Sequence, residues 1–126
     1  YGLHLGARLP VHPTSTGRVL LAALPPAELT AWLRNRRLHR LTPQTITQVG
    51  PLRQVITKVR RDDYCLAVEE HELGVHALAV PLRNLQGDTV AALNVVASPK
   101  QVDESSLQRD MLPLLQEAAR ELRGRL

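Results

Sequence analysis

Residues 9–24 read LPVHPTSTGRVLLAAL, so three hydroxyls and a glycine (Thr14, Ser15, Thr16 and Gly17) stand directly before an apolar stretch. A helix starting after Thr14 leaves the amides of its first turn without intrahelical acceptors, at the positive end of the helix dipole. Such a start receives a carboxylate or phosphate, and glycine lets a ligand or another backbone approach closely. Its hydroxyls can also satisfy those amides as N-caps, and on spacing alone capping accounts for the pattern without a ligand.

The other chemistry-bearing groups form no constellation. EEHELGVH at 69–76 resembles a zinc-protease motif, but His71 and His76 are five apart with Gly74 between them. A zincin needs histidines four apart on one helix face, so no metal site is expected. His71 reads as a turn residue and His76 as a sheet residue. Cys65 reads as a small buried strand residue. No phosphate-binding Gly-rich loop or nucleophile elbow is present. No catalytic residue and no cofactor are expected.

The elements that must position these groups follow from periodicity. A helix is expected from after Thr14 to about Leu24, where Pro25 and Pro26 stop it. A second carries Leu29, Trp32 and Leu33 to about Arg37, and LHRLTPQTIT (38–47) is a loop. A third spans 49–62, with Leu52, Val55, Ile56 and Val59 at helical spacing. The period then changes to two: 64–70, 75–83 and 88–97 read as strands joined by short glycine-bearing links, hence antiparallel. A last helix runs from about Asp103 to Arg123, with Pro113 predicting a kink or a break. Tyr1–Leu9 reads as the tail of a strand. The expected class is α+β, helices covering one face of an antiparallel sheet.

Composition limits the function. At 126 residues the chain is one domain, and with one Trp, two Tyr and no Phe it lacks the stacking platforms of single-stranded nucleic-acid binders. Sixteen Lys and Arg against twelve Asp and Glu give a net charge of +4. The cluster Arg34, Arg36, Arg37 and Arg40 reads as a solvated helix end, since no groove-reading motif accompanies it. No apolar run reaches a membrane-spanning length, and a single cysteine suits a reducing cytoplasm.

Several segments in order carry a resemblance. GARLPVHPTSTGRVLLAALP (6–25), LTPQTIT (41–47), VRRDDY (59–64), EEHELGV (69–75), and the strands AVPL and AALNV together resemble the effector-binding domain of IclR-family transcriptional regulators. The variant of the first segment, with AALNV, is most similar to the PcaR, PcaU and PobR branch, which senses aromatic acids or related ring-cleavage intermediates. The resemblance implies a GAF-like (profilin-like) antiparallel sheet covered by helices, with a pocket for a small organic acid. It further implies a homodimer or homotetramer that meets DNA only through an N-terminal winged helix-turn-helix. That segment precedes residues 1–126, which correspond to the later part of the effector-binding domain.

Carried over by position, the ligand's carboxylate falls on the amides of Ser15 and Thr16, with Thr14 capping beside them. Polar pocket positions of the family fall on Ala67, Ala77, Asn94 and Val96, and Val75 shares a face with Ala77. Three of those four positions are apolar here. That would leave a small hydrated keto acid unpaired but suits a larger, flatter acid with one hydroxyl or keto group. Arg8 is equally a bidentate carboxylate partner and a surface loop residue.

A ligand-sensing domain is therefore expected. The rivals are a small hydrolase using Cys65, Glu70 and His71, and a bare oligomerisation module without ligand. Strand alternation sets Cys65 and Glu70 on opposite faces, against the hydrolase.

Overall fold

The computed structural model describes residues 4–126. Helix α1 (Ser15–Ala22) is followed by α2 (Pro26–Leu33) and α3 (Val49–Asp62). Strands β1 (Cys65–Val68), β2 (His76–Arg83) and β3 (Thr89–Ala97) form one antiparallel sheet in the order β1-β2-β3. A short α4 (Glu104–Ser106) passes through a π-turn (Leu107–Met111) into α5 (Leu112–Leu122), and Arg123–Arg125 close the chain as a 3-10 turn.

The α+β class and the three antiparallel strands match expectation, but helices cover both faces of the sheet rather than one. Cys65 and Ala79 pack with Val19, Leu21, Leu33, Leu52 and Ile56 of α1–α3. From the opposite face, Leu78 and Val80 pack with Leu107 and Leu115 of the C-terminal helices. Double coverage explains why Leu78 through Leu82 are buried without alternation.

Other differences are local. Pro113 sits in the second position of α5, directly after the π-turn. The widened turn precedes a residue that lacks an amide and crowds the preceding turn, which is the break that proline predicts. Helix α2 ends four residues early: Arg34 is extended and Asn35 takes φ 53°. The arginine cluster thus lies mostly beyond the helix, yet Arg36 still donates to Trp32 O at 3.0 Å and stacks over the Trp32 ring. Arg40 instead donates to Pro43 O at 2.9 Å in the following loop, so of the cluster expected at a helix end Arg36 is the member that bonds back to the helix.

Of the strand tail expected at Tyr1–Leu9, residues 1–3 lie outside the described residues. Residues 4–9 form no strand: Gly6 at φ 86° makes a turn closed by Ala7 N–H donating to His4 O at 3.0 Å. No helix of the described residues is long and apolar enough to cross a membrane.

Register places Ala67 beside Ala77, and Ala79 beside Asn94. Paired residues share a face, so short side chains line the sheet under the start of α1 and leave room there.

Candidate functional site

The start of α1 is built in two steps. Thr14 is extended (φ −107°, ψ 147°), and its Oγ1 accepts from Gly17 N–H at 3.2 Å while donating to Pro10 O at 2.9 Å. The cap therefore consumes one amide. Among the described residues, the Ser15 and Thr16 amides have no hydrogen-bond acceptor. Capping and an open anion site coexist because they use different donors.

Those amides border a cleft of about 370 Å³, mouth included, between the start of α1, the sheet and the β1–β2 link. Thr14, Ser15, Thr16, Ala67, Val75, Ala77 and Asn94, expected from the sequence, all line it. Arg8 and Val96 do not, and both are exposed. Arg8 follows the Gly6 turn out into solvent. Val96 pairs with Ala77, but its side chain lies beyond the cleft.

Residues the sequence reading passed over complete the lining. Leu9 and Pro13 stand on the α1 side; Glu70, His71 and Glu72 stand on the β1–β2 link. The link had been visible as a turn, and EEHELGV was one of the matched segments, but nothing in its spacing showed that it bends back over α1.

Below the cleft, Arg18 is 1% exposed. Its Nη1 and Nη2 donate to Glu70 Oε2 and Oε1 at 2.6 and 2.5 Å, and its Nε donates to His12 O at 2.8 Å. Ile46 N–H also donates to Glu70 Oε1 at 3.0 Å. A bidentate, doubly hydrogen-bonded pair of this kind can stand burial. A charged residue inside the apolar run GRVLLAAL was the sequence signal for it.

The pair also sets how Glu70 and Cys65 stand to each other. Strand β1 ends at Val68, and Glu69 takes φ 54°, so alternation does not extend to Glu70. Glu70 and Cys65 therefore both face Arg18, not opposite sides. Hydrolase chemistry still fails, because Glu70 is held by the guanidinium and burial pushes the Cys65 thiol up to about 11. His71 lines the cleft, while His76 is buried in the sheet with Leu78 and Val80. Among the described residues no three His, Cys, Asp or Glu side chains gather where a metal would sit.

The raised thiol gives a pH prediction. Cys65 stays protonated in the folded state to higher pH than its ordinary 9.0. Its contribution is complete below about pH 9 and is lost as pH rises to about 11, on the order of 2 kcal/mol. Urea unfolding of wild type and Cys65→Ala across that window should therefore converge with rising pH. Parallel curves would contradict the buried neutral thiol.

A family described as "Bacterial transcriptional regulator IclR C-terminal" matches residues 2–123. The chain is 49% identical over 124 residues to the p-hydroxybenzoate hydroxylase transcriptional activator of Acinetobacter baylyi, covering 98% of this chain and 46% of that protein. It is 47% identical to the Pca operon regulatory protein of the same organism, covering 98% and 45%. The chain thus spans about half the length of these curated relatives. Among solved structures, an Acinetobacter PobR inducer-binding domain, a double mutant in complex with 3-hydroxybenzoic acid, superposes with a TM-score of 0.95 at 48% identity, covering 100% of this chain and 72% of that one. Thermotoga maritima IclR superposes with a TM-score of 0.86 at 28% identity, covering 95% and 48%. These relatives are transcriptional regulators rather than enzymes.

Proposed function

The chain belongs to the IclR family of bacterial transcriptional regulators, and on that premise we propose that it is the effector-binding part of such a regulator, receiving an aromatic hydroxy acid in the cleft at the start of α1. The observation that carries this reading is the pair of open amides at Ser15 and Thr16, facing a cleft floored by Ala67 and Ala77. The ligand's carboxylate sits on those amides, where the helix dipole favours an anion. Its ring lies against the alanines, Val75 and Pro13. Asn94 and His71 remain as polar side chains for the ring's hydroxyl.

In the whole regulator, a winged helix-turn-helix outside residues 1–126 contacts DNA, and the protein works in the cytoplasm as a homodimer or homotetramer. The effector controls transcription of catabolic genes for aromatic acids by favouring one of two arrangements of the assembly, through contacts that differ between them. The p-hydroxybenzoate hydroxylase transcriptional activator and the Pca operon regulatory protein among its relatives, and the neighbour holding 3-hydroxybenzoic acid, support this class of effector.

Thermal unfolding tests it, with 3-hydroxybenzoate, 4-hydroxybenzoate, protocatechuate, β-ketoadipate and glyoxylate as candidate ligands. An effector at about 100 times its Kd adds roughly 2.7 kcal/mol and raises Tm by about 10 °C in a chain of this size. The expected result is such a shift with a hydroxybenzoate, lost in Asn94→Leu. A shift with glyoxylate alone would contradict the aromatic pocket, and no shift with any acid would contradict an effector site.

A further inference from the structure

The Arg18–Glu70 pair sits where three chain segments meet. Arg18 belongs to α1, four residues past the cap, and its own amide bonds Thr14 O. Glu70 is on the β1–β2 link and accepts from Arg18 and from Ile46 N–H. The same link is fixed through its carbonyls: Thr42 Oγ1 donates to Glu69 O at 2.5 Å, and Thr45 Oγ1 to Glu70 O at 2.6 Å. Glu69 N–H returns to Val75 O at 2.9 Å, closing the link on itself. Glu70, His71, Glu72 and Val75 of this link form the cleft wall facing Thr14, Ser15 and Thr16.

We infer that Glu70 is a positioning residue for the effector: clamped by Arg18, it holds the 69–75 wall at a fixed distance from the open amides of α1, and so sets the width of the cleft. The pairing has an electrostatic consequence as well. The guanidinium's charge is spent on Glu70, so anion recognition is left to neutral amides, which hold a carboxylate in one direction rather than attracting any anion. Functional sites depend on such supporting contacts to hold their geometry. The inference rests on the effector reading above.

The test is isothermal titration of this chain with 3-hydroxybenzoate and 4-hydroxybenzoate, at a temperature where circular dichroism shows each variant folded. Glu70→Gln removes the clamp's charge. Thr42→Val loosens the same wall while leaving both charges in place, and so serves where Glu70→Gln does not fold. Both are expected to weaken binding, Glu70→Gln by roughly tenfold or more. Two results would overturn the inference. Tighter binding by Glu70→Gln would mean that Arg18 acts on the ligand by charge alone. Lower Tm with unchanged Kd in both variants would make the pair a fold element only. Absence of binding by the wild type would instead remove the effector reading beneath it.

Discussion

Gly17→Ala is expected to destabilise the domain by about 3 kcal/mol, the upper end for overpacking, and to abolish effector binding. A Cβ at Gly17 would lie 2.1 Å from Val11 O and 2.7 Å from both Val11 C and Thr14 Oγ1. The first two are backbone atoms, so no side-chain rotation relieves the clash. Relief requires shifting the 10–14 loop, which carries the Thr14 cap and the open amides with it. Gly50→Ala is the matched control, since its Cβ meets nothing within 4 Å and a helix favours alanine. Urea unfolding of the two variants decides the point: a loss at Gly17 no larger than at Gly50 would contradict the close approach.

Arg18→Met is expected to cost about 3–5 kcal/mol, because it leaves the Glu70 carboxylate largely buried with only the Ile46 amide as partner. It also removes the donor to His12 O. The cost belongs to the orphaned charge rather than to the pair's net worth. Arg18→Met combined with Glu70→Leu should therefore recover much of the loss, as replacement of whole buried pairs does. Denaturant midpoints with unchanged slopes would measure this. A double variant no more stable than Arg18→Met would contradict the desolvation argument.

Much of the fold is legible in the sequence because its signals are periodic. The spacing of Leu52, Val55, Ile56 and Val59 predicts α3, observed as Val49–Asp62. Two-residue alternation predicts all three strands to within two residues at each end. Coverage of both sheet faces was written in HALAVPLR but missed: Ala77 and Ala79 fall on one face and Leu78 and Val80 on the other, and a strand apolar on both faces is buried on both. Periodicity could not show the early end of α2, which turns on Asn35 adopting a positive φ.

The cleft was legible in the same uneven way. Ser15 and Thr16 stand out as a polar helix start, and Ala67, Ala77 and Asn94 follow from strand parity once the family's positions are laid on them. Glu70, His71 and Glu72 were hidden because their placement depends on Glu69 leaving the strand conformation. Arg8 and Val96 were over-read: a residue's type, or its parity on a strand, does not say how far the cleft extends.

The proposed seat of the effector's carboxylate is the pair of open amides at the start of α1. It is tested most directly by titrating 3-hydroxybenzoate into the 15N-labelled chain and following the backbone amide resonances. The predicted result is saturable shifts largest at Ser15 and Thr16, with His71 and Asn94 moving at the same ligand concentration. Shifts confined to a different cleft, such as that around Arg83, Arg120 and Arg123, with Ser15 and Thr16 unmoved, would contradict it.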